Sequence, residues 1–356
     1  MEQHSESIEI SSAVDDVNST NTSDWSWTPI TWSWWLIIQL VLAILGISGN
    51  LLVILVLFQR RKYRKPTDIL IGGLAVADFI TSIFMIPQPK LSGVPDTILG
   101  EIACKLIYSS VFLWISISCS VFTLTAIAIE RYIAVVHPFQ FKHWVTPRKI
   151  IVWFLIIGLA AIAINSRTFG TTWVDSEHGK CMHKYNVPGV QTFSGIMVFL
   201  VLFIIPTLIM LVSYSLIARS LRLRSRLYKL QKGVQSSSNV SGPSDRLLVA
   251  RNKVIKLMFV VIIIFIVCWA ADSVALLAYN MRWVERSYLY SPVYHVLVVM
   301  AYFNTCANPL IYAIHYPEFR LAVKDLFFGS RTVRSSLFGK DYNLTTKGKV
   351  YVNAIV

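Results

Sequence analysis

Residues 102–132 read IACKLIYSSVFLWISISCSVFTLTAIAIERY, and this stretch decides the fold. Between positions 102 and 129 the single ionised side chain is that of Lys105. An α-helix needs roughly 20 predominantly apolar residues to cross the hydrocarbon core of a bilayer. The stretch therefore predicts a membrane-spanning helix that ends at the polar triplet Glu130-Arg131-Tyr132.

Six similar runs occur elsewhere, and together they predict an all-α membrane protein, a seven-transmembrane helix bundle with a short amphipathic helix after the seventh span. With 55% hydrophobic and 15% charged residues the chain is too apolar for a soluble fold, and 13% aromatic residues exclude a disordered chain. No internal repeat is evident, which argues against the duplicated halves of many transporters. The seven runs are 35–58, 69–86, 102–129, 150–164, 193–218, 257–281 and 293–314.

Basic residues are distributed unevenly among the connections between these runs. The loops after the first, third and fifth runs and the tail after the seventh hold 26 of the 33 Lys and Arg residues. Because basic residues accumulate in short cytoplasmic loops, we expect a multi-pass plasma-membrane protein with an extracellular N-terminus and a cytoplasmic C-terminus. The net charge of +14 then reflects topology and does not indicate nucleic-acid binding.

Three regions follow from this topology. Residues 1–34 are predicted to form an extracellular leader, in which Asn18 and Asn21 begin Asn-x-Ser/Thr sites for glycosylation. Residues 35–314 form the membrane domain, and residues 315–356 form the cytoplasmic amphipathic helix and tail.

The five cysteines fall into two groups. Cys104 and Cys181 both lie on the predicted outer side, where oxidising conditions permit a disulfide between them. Cys119, Cys268 and Cys306 lie inside apolar runs, and we expect them to pack in the core.

Several polar side chains lie within the apolar runs, where they are costly unless they are paired or hydrated. Ser116 and Ser120 are four residues apart, as are Asn304 and Asn308, so each pair lies on one face of its helix. If these oxygen atoms converge on Asp78, they form a small hydrated cation site.

The predicted spans carry an ordered set of motifs, at least one in each. These are Gly49-Asn50, Leu74 to Asp78, Glu130-Arg131-Tyr132, Trp153, Pro206 with Tyr214, Phe265 with Cys268-Trp269, and Asn308-Pro309 with Tyr312, followed by Phe319-Arg320. The set resembles the rhodopsin-like, or class A, G protein-coupled receptors, and is closest in character to neuropeptide receptors. The resemblance implies a receptor, not an enzyme, that binds an extracellular ligand and activates a heterotrimeric G protein. It implies no cofactor, and it adds arrestin and membrane lipid as partners.

The resemblance gives the polar residues a role. In the family, a sodium ion that favours the inactive state is held at positions that match Asp78, Ser120, Asn304 and Asn308. Ser116 is predicted to belong to the same site. A purely structural water network is the alternative, and no metal site beyond this one is predicted.

The resemblance also predicts a set of activation residues. Arg131 is expected to be held by Glu130 at rest and to contact the G protein once the helices part. Pro309 removes a backbone hydrogen bond, which lets Tyr312 swing inward on activation. The other predicted members of this set are Tyr132, Tyr214 and a relay layer made of Phe265, Pro206 and Val121.

Trp269 is expected at the floor of a ligand pocket, and Asp272 shares its helix face. Asp272 has three open interpretations: a counter-ion for a cationic ligand, an internal ion pair with a base such as Arg167, or a protonated, hydrogen-bonded acid. Leu113 stands where monoamine receptors carry an aspartate, and Tyr302 stands where opsins carry a lysine. A peptide ligand is therefore favoured. A small amine, a lipid or another non-peptide ligand is the alternative, as is a membrane transporter.

The sequence departs from the family pattern in four places. Ala271 replaces the usual proline of the sixth run, and a base, Arg251, stands where an acid would be needed to hold Arg131 to that run. Cys104 precedes Arg131 by 27 residues, two more than in most members, which predicts a bulge or a different start of the third helix. No cysteine follows the seventh run as a lipid anchor. The residues expected to hold the last helix on the membrane instead are Phe319, Leu326 and Phe327.

Overall fold

The computed structural model describes residues 25–59, 65–183, 185, 187, 189–234, 243–315 and 317–328. Within residues 225, 227–234, 243–258, 286 and 318 it describes the backbone alone. The predicted glycosylation sites Asn18 and Asn21, and the cytoplasmic tail after residue 328, lie outside the described residues.

Helices make up most of the described chain. They are α1 (Trp34–Gln59), α2 (Pro66–Phe84), α3 (Ile98–Ala103), α4 (Val111–Val136), α5 (Pro138–Trp144), α6 (Pro147–Asn165), α7 (Arg167–Thr171), α8 (Val190–Phe199), α9 (Ile205–Val234), α10 (Pro243–Asn280), α11 (Pro292–His315) and α12 (Pro317–Phe328). A π-helical turn, Leu200–Ile204, joins α8 to α9, and a 3-10 turn, Arg286–Tyr290, precedes α11.

Seven spans long and apolar enough to cross a membrane are present in the described residues, which confirms the predicted number. They are α1, α2, α3 with α4, α6 with α7, α8 with the first part of α9, the last part of α10, and α11. The fourth span, Pro147–Thr171, is longer at both ends than the apolar run 150–164. It starts early because the Thr146 side chain accepts a hydrogen bond from the Lys149 amide and Pro147 occupies the first turn, two features that favour a helix start.

One compact unit holds the strands. It comprises Met1–Thr31, Gln88–Ser110 and Thr168–Lys184. Its two sheets are antiparallel and two-stranded. The strands are β1 (Ser26–Thr28) paired with β2 (Lys90–Gly93), and β3 (Thr172–Asp175) paired with β4 (Lys180–His183).

Within this unit a disulfide joins Cys104 to Cys181 with an S–S distance of 2.00 Å, which confirms the predicted bridge. Cys104 begins a π-helical turn, Cys104–Tyr108, directly after α3. Ser110, two residues beyond that turn, has a φ of 53°. Because a π-helical turn accommodates an extra residue and α4 begins anew at Val111, the structure has both the bulge and the different helix start that the sequence predicted as alternatives.

The second unit comprises Trp32–Pro87, Val111–Arg167 and Tyr185–Val356, and it holds the helix bundle. Its helix α4 is buried along most of its length, whereas α6 exposes Leu155 and Leu159 by 62% and 68%. Apolar side chains outside and polar ones inside are what a hydrocarbon solvent favours. The main core includes Leu70, Val121, Met210, Phe265 and Ile311.

Helix α1 approaches its neighbours closely at two glycines. A Cβ atom at Gly49 would lie 2.9 Å from Pro309 Cβ, and one at Gly46 would collide with Ser82 Oγ. Such close approach lets α1 pack on α2 and α11 backbone to backbone, as small residues do between membrane helices.

The last helix is anchored differently from the prediction. Phe319 was expected to hold α12 on the membrane, but its side chain is only 2% exposed, and its ring packs against Tyr312 with centroids 6.2 Å apart. Arg320 donates hydrogen bonds to the carbonyl oxygens of Ala313 and Ile314 at the end of α11. Phe319 therefore fixes α12 to the bundle, because the helix turns this side chain toward α11.

Candidate functional site

The carboxylate of Asp78 lies at the meeting point of three helices. Ser120 of α4 donates a hydrogen bond of 2.6 Å to Asp78 Oδ1, and Asn308 of α11 donates one of 3.0 Å to Oδ2. All three side chains are at most 5% exposed. The structure thus brings together three residues of the predicted sodium site.

The other two predicted members of this site lie one helical turn away. Ser116 accepts a hydrogen bond of 2.9 Å from the Thr81 hydroxyl and donates one to the Leu113 carbonyl oxygen. Asn304 is buried at 5% exposure, and among the described residues no hydrogen bond joins it to Asp78. Thr81 was missed in the sequence, although it lies three residues after Asp78 and so shares its helix face.

Arg131 and Glu130 are both buried at the opposite end of α4 from Leu113. Arg131 Nε lies 3.0 Å from Glu130 Oε2, which is ion-pair distance without hydrogen-bond geometry. The other oxygen of Glu130 accepts a hydrogen bond of 2.7 Å from Thr67 of α2, a residue the sequence did not single out. Tyr132 contacts His137 instead, with its hydroxyl 3.2 Å from Nε2. We call this region the Arg131 end of the bundle.

A line of aromatic rings leads from Trp269 into the core. The ring of Phe265 lies 6.5 Å from that of Trp269 and 6.4 Å from that of Phe203, centroid to centroid. Phe265 is fully buried, and the predicted relay residues Val121 and Pro206 are also buried. Phe203 also belongs to this layer. It was not predicted, because nothing in the sequence distinguishes it from the other apolar residues around it.

Two further residues that were predicted as switch residues are buried within the bundle. Tyr214 of α9 is 6% exposed, and Tyr312 of α11 is 3% exposed. Both belong to the main core together with Phe319. Pro309 lies inside α11, three residues before Tyr312, as the predicted hinge requires.

A cavity of about 30 Å³ lies beside Trp269 and Asp272, and we call it the Asp272 cavity. Its walls come from α4, α8, the turn that follows α8, and α10. Apart from Asp272 the lining is largely apolar. The remaining lining residues are Trp114, Ile117, Val121, Gly195, Val198, Phe199, Leu202, Ser273, Leu276 and Leu277.

Two of the predicted pocket residues lie next to this cavity without lining it. Leu113 is buried in a second apolar cluster, and Tyr302 and Trp269 pack against that cluster. The aspartate of monoamine receptors and the lysine of opsins are thus replaced by side chains that pack together near Trp269.

Arg167 does not pair with Asp272. Its guanidinium donates a hydrogen bond of 2.7 Å to the Ser194 hydroxyl. Burial raises the pKa of Tyr185, and the positive charge of Arg167 partly offsets that rise, so the two side chains lie close together. Among the side chains that the structure describes, no base forms an ion pair with Asp272. The internal Arg167–Asp272 pair, one of three interpretations, is therefore wrong.

Asp272 lies among aromatic and aliphatic side chains instead. Its side chain is 9% exposed, and Trp114, Phe199 and Trp269 line the same cavity. Burial, and then the charge of Asp272, raise the pKa of Tyr288 in the 3-10 turn. Trp269 Nε1 is buried and has no hydrogen-bond partner among the described residues.

Comparison with known proteins identifies the fold family. The family model "7 transmembrane receptor (rhodopsin family)" matches residues 49–312. The chain belongs to this family. The prediction made from the motifs is thereby confirmed at the level of the family.

Similar receptors are named for peptides. The pyroglutamylated RF-amide peptide receptor of Rattus norvegicus is 28% identical over 290 residues, which cover 78% of this chain and 65% of that receptor. The allatostatin-A receptor of Bombyx mori is 29% identical over 300 residues, covering 81% and 77%. The gastrin/cholecystokinin type B receptor of Mus musculus is 25% identical over 351 residues, covering 80% and 77%. This chain thus spans 65% of the length of the first of these receptors.

Proposed function

We propose that this receptor binds an extracellular peptide beside Trp269 and Asp272 and activates a heterotrimeric G protein with its Arg131 end. The observation that carries the proposal is the line of rings from Trp269 through Phe265 to Phe203. These rings connect the Asp272 cavity with the buried core by direct packing. Side chains that pack in a continuous line can couple two distant sites when the packing can switch between two arrangements. The peptide part rests on the names of three relatives.

The proposed orientation has the N-terminus outside the cell and the C-terminus in the cytosol. It is supported by the excess of Lys and Arg in alternate loops, because that excess favours the cytoplasmic side. The glycosylated leader at Asn18 and Asn21 and the plasma-membrane location belong to the same proposal. Epitope tags at the two termini test it, and tags accessible from the same side of intact cells would overturn it.

The Arg131 end offers features that suit a protein partner. Arg131 itself is held by Glu130 and becomes available only when the helices separate. On α5, directly after α4, Phe139 is 96% exposed. Phe139 lies in the connection after the third span, which also contains Lys142, Arg148 and Lys149, and aromatic side chains are enriched at protein interfaces. Arrestin, through the phosphorylated tail, and membrane lipid are proposed as the other partners.

The chemistry of the Asp78 residues supports the proposal of a sodium site. Hard cations prefer oxygen ligands, and a carboxylate, a hydroxyl and a carboxamide meet here in a buried space. With the ion bound, its charge would balance that of Asp78 and stabilise the resting arrangement. We propose this role for Asp78, Ser120 and Asn308, with Ser116 and Asn304 one turn further out. The receptor performs no covalent chemistry in this proposal.

Nucleotide exchange on purified G proteins tests the proposed function. Membranes with the full-length receptor are presented with a library of amidated peptides, and GTPγS binding is measured. We expect some peptides to stimulate exchange on the wild type and none to stimulate it on Arg131→Ala. Peptide uptake into vesicles is the control for a transporter. Uptake without exchange, or no response to any peptide at normal surface expression, would overturn the proposal.

A further inference from the structure

Asp272 is a carboxylic acid in an apolar wall. Its neighbours in the cavity lining are mainly aliphatic and aromatic, and its side chain is 9% exposed. An ionised group in such surroundings is destabilising unless it has a partner, which is why acids inside membrane proteins are usually functional.

The structure provides no such partner from the described residues. Arg167, the base expected to pair with Asp272, is bonded to Ser194 instead. No hydrogen bond to the Asp272 carboxylate is formed by the described side chains either, which argues against a neutral acid held by a neighbour. Two of the three interpretations from the sequence therefore lose their support, and the counter-ion interpretation remains.

Three aromatic side chains line the cavity together with Asp272. They are Trp114 of α4, Phe199 of α8 and Trp269 of α10 itself, and the lining that the structure describes includes no Lys, Arg or His. A carboxylate beside electron-rich aromatic rings is an arrangement that stabilises a cation, by charge on one side and by ring faces on the other.

We infer that the Asp272 cavity takes a cationic ligand group, most suitably a guanidinium. The inference rests on the proposed ligand site and adds the chemistry that the site selects. A guanidinium fits better than an ammonium because it can bind both carboxylate oxygens and stack on aromatic rings. The cavity of about 30 Å³ has room for little more than one compact group, so the end of a single side chain enters it.

A binding measurement that needs no G protein tests this inference. The melting temperature of purified full-length receptor in lipid nanodiscs is measured in the presence of ethylguanidinium or of N-ethylurea, a neutral molecule of similar shape. We expect ethylguanidinium to raise the melting temperature of the wild type by roughly 2 °C more than N-ethylurea does at saturating concentration. Asp272→Asn should abolish this difference between the two probes, even if the substitution itself changes the melting temperature of the receptor.

Glu285→Gln is the matched control. Glu285 is an exposed acid before the 3-10 turn, so its removal lowers the negative charge near the cavity without touching the cavity wall. The difference between the two probes should survive in this variant. A wild type that does not distinguish the probes, or an Asp272→Asn protein that still does, would overturn the cation site.

A peptide pair separates this inference from the proposed function. For a peptide that stimulates exchange, replacing its arginine by citrulline should weaken the response of the wild type about 10- to 100-fold and that of Asp272→Asn far less. Equal losses in both receptors would overturn the cation site and leave peptide signalling intact. A clear preference for ethylguanidinium with no active peptide would instead support the cation site and overturn the peptide proposal.

Discussion

The Thr67 hydroxyl donates a hydrogen bond of 2.7 Å to Glu130, the residue whose other carboxylate oxygen contacts Arg131. This bond ties α2 to α4 at the Arg131 end. It is informative because the sequence has a base, Arg251, where an acid would be needed to hold Arg131 to the sixth span. The Thr67–Glu130 bond, together with the contact between Glu130 and Arg131, therefore contributes to the restraint of Arg131 at rest.

Removing that hydroxyl should loosen the resting state. Thr67→Val leaves Glu130 with one fewer donor, and a hydrogen bond to a charged group contributes about 1.5–3 kcal/mol. We expect basal GTPγS exchange to rise severalfold and the melting temperature to fall. Thr123→Val is the control, because within the described part of the chain the Thr123 hydroxyl bonds only the Cys119 carbonyl oxygen of its own helix. Equal basal exchange in the two variants would contradict the role of Thr67.

The Asp78 site should make the receptor sensitive to sodium. When N-methylglucamine replaces sodium at constant ionic strength, we expect basal exchange of the wild type to rise and its melting temperature to fall. Asp78→Asn should respond to neither, because an amide lacks the charge that attracts the ion. Ser48→Ala is the control, since all hydrogen bonds of the Ser48 hydroxyl to residues that the structure describes lie within α1. A sodium response that persists in Asp78→Asn would place the sodium effect at another site, whereas a wild type without any sodium response would favour a structural water network.

Two glycines provide a matched test of helix packing. At Gly49 an added methyl group would lie 2.9 Å from Pro309 Cβ, whereas at Gly158 it would meet nothing within 4 Å. Gly49→Ala should therefore destabilise the receptor by about 1–3 kcal/mol through overpacking between α1 and α11. Gly158→Ala should leave stability unchanged or raise it by up to about 1 kcal/mol, because alanine favours helix. Thermal unfolding in nanodiscs measures both, and equal midpoints would show that α1 packs elsewhere.

The spans and the Asp78 contacts were accessible from sequence for physical reasons. A membrane helix is set by local hydropathy, so seven long apolar runs predict seven spans without tertiary knowledge. Asp78, Ser120 and Asn308 were expected to converge because polar groups inside hydrocarbon must find one another. The disulfide between Cys104 and Cys181 followed from two cysteines on the oxidising side.

Other features depend on how helices turn against each other, which a single sequence leaves open. The spacing of apolar residues marks an apolar face of a helix but does not show what covers that face. Phe319 was therefore predicted to lie on the membrane, whereas its ring packs on Tyr312. Arg167 was a candidate partner of Asp272, but its guanidinium reaches Ser194. Phe203 lies among many apolar residues, so its place in the ring line became visible only in three dimensions.

Phe139 gives a test of coupling that leaves the fold intact. At 96% exposure its side chain contributes almost nothing to packing, so Phe139→Ala should not change the melting temperature. If its ring enters an apolar pocket of the G protein, loss of that buried area should weaken coupling by about 2–3 kcal/mol, or roughly 30- to 150-fold in G-protein affinity. Titration of the G protein against GTPγS exchange measures this loss.

The control for Phe139 is Phe328→Ala. Phe328 is also strongly exposed, at 83%, but it lies at the end of α12. Its removal should leave G-protein affinity unchanged. If exposed rings acted only by resting on lipid, the two substitutions should instead change G-protein affinity alike. If both variants couple as the wild type does, the exposed ring of Phe139 is no docking residue, and the contact surface at the Arg131 end must be sought on α9 and α10. If Phe139→Ala alone loses coupling and Arg131→Ala loses it as well, the two residues belong to one surface, because α5 follows α4 directly at this end of the bundle.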